Sequence, residues 1–212
     1  MFYPRVLNKN QKKILNYLDF FPQDIYLAGG TGLALQLGHR TSVDFDFYSL
    51  KSFKVEEILF EFQKKFKNLV VRQVIKDTLI LNIFNIDLSL FYYPYKLIKP
   101  LLSYRQIKIA TAEDIAAMKI VSIIQRGKRR DFIDIFYLLG KYSLKQLINF
   151  TLKKYPGFQE GVILKALIYF EDAEEEELER RIEVFDKNFS WKKAKEKIFS
   201  EVRRYQLAMI KK

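Results

Sequence analysis

The 212-residue chain has no cysteine and one histidine, His39. Disulfides, thiolate nucleophiles and cysteine-based zinc sites are therefore excluded, and no cluster of imidazoles can be assembled around a metal. Long apolar runs are missing too. Nowhere do 18 or more apolar residues follow one another, and the first residues do not read as a charged-then-apolar leader. Membrane spanning and secretion have no support, so a cytoplasmic protein is expected. Acidic residues are in the minority, 25 against 37 lysines and arginines, for a formal charge of +12.

The acids present are unevenly spread. Residues 171–179 hold seven acids and no base, and taking those seven charges out of +12 leaves +19 on the rest of the chain. An excess of that size concentrates polyanions and points to nucleic acid as the partner class. From Lys187 onward nine bases face two acids, which again suits backbone phosphates. With 49% hydrophobic and 29% charged residues the chain reads as globular, and its length allows one large or two small domains. The 19 phenylalanines and 13 tyrosines are expected mainly in the core, with exposed rings available for stacking on bases.

Residues 25–48, IYLAGGTGLALQLGHRTSVDFDFY, carry the most information. The pattern predicts a buried strand at 25–28, a tight turn at Gly29-Gly30-Thr31, a helix over 31–37 stopped by Gly38, and a second strand over 42–48. Alternation on that strand sends Val43, Phe45 and Phe47 into the core and puts Ser42, Asp44, Asp46 and Tyr48 on the other face. Two carboxylates about 6 to 7 Å apart on one face repel, and Asp is depleted in strands, so the pair asks for a cation. Magnesium, a hard ion with oxygen ligands, suits it. Gly29 and Gly30 let the backbone approach a ligand closely, and the N–H groups opening the helix favour an anion.

This stretch resembles the nucleotidyltransferase superfamily, which shares a Gly-Gly or Gly-Ser turn followed by a paired-acid strand. Its form GGTGLALQLGHRTSVDFD resembles the AbiEii/AbiGii abortive-infection toxin family in particular, the Gly-His-Arg before the acids narrowing the match. The resemblance extends from about Ile25 to the final helix.

Further along, 69–75, 78–84 and 86–91 read as strands separated by turns at Lys76-Asp77 and Asn85, making five strands in all. Helices are expected at 11–19 and 55–66. Asp87 is a charged residue in an apolar strand, which needs either a water-facing edge or a partner. The resemblance implies a third acid on a following strand, and Asp87 is the matching position. Beyond Pro94 and Pro100 the pattern turns helical: 111–125 with a buried stripe of Ala117, Ile120, Val121 and Ile124, then a helix opened by Asp131 and Asp134, then 144–154, 159–169 and 191–209.

The family pattern also implies a lysine in the helix before an acid pair, Lys-Asp-x-x-Asp; Lys119, Asp131 and Asp134 match, with Arg130 where lysine is usual. The tract Tyr169-Phe170-Glu171-Asp172-Ala173-Glu174 resembles a Tyr-Phe-Asp-Asp-Ala-Glu signature of the family.

The expected architecture is an α/β (α+β) nucleotidyltransferase-like core, a mixed β-sheet with flanking helices over 1–105, followed by a mainly helical C-terminal domain over 106–212 that completes the site. The resemblance implies transfer of NMP from an NTP to an acceptor hydroxyl. Asp44, Asp46 and Asp87 would hold Mg2+ or Mn2+, and Gly29, Gly30 and Thr31 the phosphate tail. Arg40 and Lys119 would neutralise the leaving group, and Asp131 would orient Lys119 or help take the proton. His39 is read either as a residue fixing the turn or as a catalytic one. The implied acceptor is RNA, especially a tRNA 3′ end, with a cognate antitoxin as a partner. Transfer to a protein, or a non-catalytic RNA-binding module, are the alternatives.

Overall fold

The computed structural model describes residues 1–175 and 182–210. It divides into two compact units, Met1–Thr111 and Ala112–Lys212. Residues 176–179 of the acidic run, and Lys211 and Lys212 of the basic tail, lie outside the described residues.

The first unit is built on a seven-stranded sheet of order β3-β4-β5-β2-β1-β7-β6. The strands are β1 (Ile25–Leu27), β2 (Phe45–Ser49), β3 (Val70–Ile75), β4 (Thr78–Ile83), β5 (Ile86–Tyr92), β6 (Leu102–Tyr104) and β7 (Ile107–Ile109). β2–β5 and β1–β7 pair parallel and the remaining pairs antiparallel, so the sheet is mixed as expected. Hydrophobic alternation fixes which face each central strand buries. In β5, Ile86, Leu88 and Leu90 are buried while Asp87, Ser89 and Phe91 are half-buried, and β2 and β4 follow the same two-residue rhythm.

Helices α1 (Lys9–Leu15), α2 (Gly29–Leu37) and α3 (Val55–Lys65) complete this unit. α3 turns Val55, Ile58 and Phe62 inward. Phe62 meets Phe20 at 5.0 Å and Phe21 at 5.7 Å, and Phe21 meets Phe47 at 4.9 Å, all edge-on. Much of the phenylalanine surplus thus goes into packing, where each fully buried ring contributes about 1.5–3 kcal/mol.

Several expectations change, among them those for Val43, which is only half-buried, and for α1, which ends at Leu15. Five strands become seven, because β6 and β7 form a hairpin through Arg105, at φ +51, where helix alone was expected after Pro100. These strands are three residues long, too short for periodicity to show. The turn at Gly29-Gly30-Thr31 is already the first turn of α2. The paired-acid strand begins at Phe45, opposite Leu88 of β5, and not at Ser42. Residues 42–44 are held instead by side chains: Gln11 donates to the Ser42 carbonyl at 2.9 Å, and Thr31 to the Asp44 carbonyl.

In the second unit α4 (Ala112–Arg126) packs against α5 (Arg129–Leu138), α6 (Leu144–Lys154) and α7 (Glu160–Leu167). Surrounded in this way, α4 buries Ala112, Asp114 through Ile120, and Ile123, a wider face than a single stripe; Val121 and Ile124 are only half-buried. α8 (Glu171–Glu175) and α9 (Trp191–Ile210) follow. α9 docks by Ala194, Ile198 and Val202, one residue per turn. Among the described residues no helix is long and apolar enough to cross a membrane.

Candidate active site

The site in the first unit forms where β1 feeds into α2. Gly29 has φ +58, a left-handed backbone that favours glycine, and a Cβ there would stand 2.5 Å from Asp46 Oδ2. The Asp46 carboxylate therefore lies directly on the opening backbone of the helix. The Ala28 N–H donates to the Asp46 carbonyl at 2.9 Å, which fixes β2 against this turn. The N-cap residue is Ala28, which has no side chain able to cap α2. A helix opening of this kind attracts an anion, and the adjacent carboxylate attracts a cation.

Thr31 is buried; its hydroxyl donates to the Asp44 carbonyl and shares a 2.9 Å hydrogen bond with Ser42 Oγ. Its side chain ties the acid segment down, leaving the Thr31 backbone as the part able to meet a phosphate. Arg40 is 1% exposed, and Nη1 donates to the Thr41 carbonyl at 2.9 Å. Its guanidinium lies so close to Gly30 that a Cβ there would come within 2.8 Å of Nη2. Arg40 thus brings positive charge behind the glycine turn, and a side chain at residue 30 would displace it. His39 is buried beside it.

Asp87 stands on the strand next to β2. Leu88 pairs with Phe45 and Ser89 with Asp46, so Asp87 falls one step earlier, alongside residue 44, on the Asp46 face. Asn82 Nδ2 donates to Asp87 Oδ1 at 2.7 Å, and Arg72 Nη2 reaches the same oxygen at 3.1 Å. Neither Asn82 nor Arg72 stood out in the sequence, since register decides both contacts. Among the described residues no group of three or more carboxylate or histidine side chains is arranged to hold one metal ion. The donor chemistry nonetheless fits magnesium, which is commonly bound through one or two carboxylates with substrate phosphates completing its shell. Asp46 and Asp87 are two carboxylates of the sort such an ion uses.

The remaining two site candidates lie in the second unit. Lys119 Nζ is 2.7 Å from both Asp131 Oδ1 and Asp134 Oδ2, with the lysine side chain 6% exposed and both carboxylates fully buried. Arg126 Nε approaches Asp131 Oδ2 at 3.4 Å. Lys119 and the acid pair are thus one enclosed ion cluster joining α4 to α5. A second enclosed pair, Lys154 and Asp114 at 2.8 Å, joins α6 to α4.

The described part of the acidic run is engaged within its own unit. Glu174 accepts from Trp191 Nε1 at 3.0 Å and from Lys195, and Arg129 lies 3.8 Å away. The Lys195 hydrogen bond is the main reason its carboxyl is held below the ordinary range. Nearby, burial pushes the Tyr137 phenol up to about 12, with the Asp186 charge adding to it.

A family description, nucleotidyl transferase AbiEii toxin of a Type IV toxin–antitoxin system, matches residues 92–206, more than half of the chain. The chain belongs to this family. An AbiEii-family protein is a nucleotidyltransferase, and the fold agrees. A candidate nucleotidyltransferase from Helicobacter pylori superposes with TM-score 0.60 at 15% identity, covering 96% of this chain and 94% of that one. MenT4, a nucleotidyltransferase toxin of Mycobacterium tuberculosis H37Rv, superposes at TM-score 0.57 and 14% identity, over 91% and 81%. An uncharacterised protein of Aquifex aeolicus (strain VF5), aq_aa25, is 39% identical over 180 residues, 81% of this chain and 87% of its own length. The matched segment opens at the last residue of β5, so the glycine turn and all three acids precede it.

Proposed function

We propose that this AbiEii-family protein moves NMP from an NTP to a hydroxyl of RNA, with a tRNA 3′ end as the acceptor. The observation that carries this reading is the Asp46 carboxylate lying on the Gly29 backbone where α2 opens, with Asp87 on the neighbouring strand. In this reading the triphosphate lies there, its oxygens toward the N–H groups of residues 29–31 and its charge balanced by a divalent cation.

Asp44, Asp46 and Asp87 would hold Mg2+ or Mn2+ singly or in pairs and not as one three-carboxylate cage, with substrate phosphates completing the shell. The ion, when bound, supplies charge neutralisation at the phosphates and lowers the pKa of the acceptor hydroxyl. The chain's own residues provide the rest. Gly29, Gly30 and the Thr31 backbone orient the phosphate tail. Arg40 holds positive charge behind that turn, where negative charge grows on the leaving group. The hydroxyl oxygen attacks the α-phosphorus as the bond to the β-phosphate oxygen breaks; pyrophosphate leaves with the electron pair and the hydroxyl proton passes to water. Lys119, paired with both Asp131 and Asp134, serves this reading as a positioning residue that joins α4 to α5.

RNA is favoured as acceptor by the charge of +12, and by the chain's basic excess outside the acidic run. A cognate antitoxin is the expected protein partner, following the Type IV toxin–antitoxin family. The cytoplasm, where NTP, RNA and Mg2+ meet, is the expected compartment.

The test is incubation with each α-labelled NTP in turn, Mg2+ and total RNA, followed by separation of RNA from protein. Label on RNA from one NTP, with pyrophosphate released, is the expected result. Label on protein alone would replace the acceptor with a polypeptide, and no label on either would overturn the reading.

A further inference from the structure

Strand β3 is an edge of the sheet and all six of its residues are exposed. Its pairing with β4 is irregular: Val70 pairs with Asn82 and Val71 with Leu81, but Gln73 pairs with Ile80, leaving Arg72 as an extra residue. An extra residue at such a bulge re-aims a side chain that strict alternation would send elsewhere. Here Arg72 reaches across β4 to Asp87, two strands away, and Nη2 stands 3.1 Å from Oδ1.

The two groups on that oxygen differ in kind. Asn82 and Asp87 are register partners in adjacent strands, so the 2.7 Å amide hydrogen bond is built into the sheet. Arg72 comes from an exposed edge, with its side chain 54% exposed against 18% for Asp87. Half-exposed ion pairs are weak and easily exchanged. A divalent cation on Asp87 competes with the guanidinium for this oxygen, because both need its lone pairs and their charges repel.

We infer that Arg72 is a positioning residue that neutralises Asp87 in the cation-free enzyme and yields the oxygen when a divalent cation binds. The inference rests on the metal reading proposed above. Asn82 keeps the carboxylate oriented through the exchange, and the bulge exists to bring Arg72 within reach.

Mn2+ titration followed by electron paramagnetic resonance of the free ion tests this without using turnover. The proteins needed are wild type, Arg72→Gln, Asp87→Asn, the double variant, Asp46→Asn, and Lys76→Gln as a charge-matched control at the end of β3. Arg72→Gln should bind Mn2+ about two- to five-fold more tightly, the amount a half-exposed ion pair is worth. That gain should vanish in the Asp87→Asn background and exceed any gain in Lys76→Gln. Equal affinity in wild type and Arg72→Gln overturns the inference, as does a gain that persists without Asp87 or is matched by Lys76→Gln. If Mn2+ binding depends on Asp46 but ignores Arg72, this inference alone falls. If wild type binds no Mn2+, the metal reading falls with it.

Discussion

Asp46 and Asp87 stand partly exposed on one face of the sheet, one against a glycine backbone and the other against a loosely held arginine. In the helical unit Asp114, Asp131 and Asp134 are fully buried, each beside an ammonium at 2.7 or 2.8 Å. The residue types are the same and the surroundings decide what they do. A carboxylate whose partner is exchangeable can meet a ligand, whereas one closed off with its counter-ion joins helices. Enclosed charges of that sort cost desolvation, so they are stable only as complete sets.

The largest effect expected from this contrast is on stability. Lys119→Met leaves Asp131 and Asp134 enclosed beside each other, and removing one member of a buried ion set costs about 3–5 kcal/mol. Denaturant unfolding should show that loss, while Asp46→Asn unfolds close to wild type. If Lys119→Met proves as stable as wild type, the two regions do not differ in the way described.

Next comes the glycine turn. Gly29→Ala forces a left-handed backbone on a residue with a Cβ, at about 1–2 kcal/mol. It also pushes on Asp46 Oδ2, and displacing a reacting group by about 1 Å can slow transfer by about 10²-fold. Transfer rate and melting temperature measured together separate the two consequences; an unchanged rate would show that Asp46 does not need its place on the helix opening.

The smallest effect lies outside both regions. Asp77, at φ +59 in the β3–β4 turn, accepts from Ser52 Oγ at 2.7 Å and from the Phe53 N–H at 3.0 Å. Those bonds hold its carboxyl below the ordinary range, the Ser52 one foremost. A depressed pKa stabilises the fold above the unfolded-state pKa and loses that contribution as pH falls through the folded one. Asp77→Asn tolerates the same backbone and removes only the charge, so its melting temperature should be slightly low at pH 7 and converge on wild type in acid. A constant difference across pH would assign the effect to the turn geometry.

Much of this was legible in the sequence because the signals are local. Alternation through Phe45-Asp46-Phe47 and Ile86-Asp87-Leu88 gave these strands and the face of Asp46 and Asp87, and Gly38 ended α2 at φ +64 as its position suggested. What stayed hidden depends on pairing between distant segments. The β6–β7 hairpin is too short to show a period, and the bulge that turns Arg72 toward Asp87 exists only once β3 is laid on β4. The burial of Arg40, Thr31 and Lys119 was hidden for a related reason: charge and hydroxyl read as exposed until the packing around them is known.

The most direct measurement is nucleotidyl transfer by the Asp44→Asn, Asp46→Asn double variant, run beside wild type with labelled NTP and RNA and accompanied by a melting curve. The account predicts a folded variant, melting close to wild type, with no label transferred. A folded variant that labels RNA at the wild-type rate would contradict it.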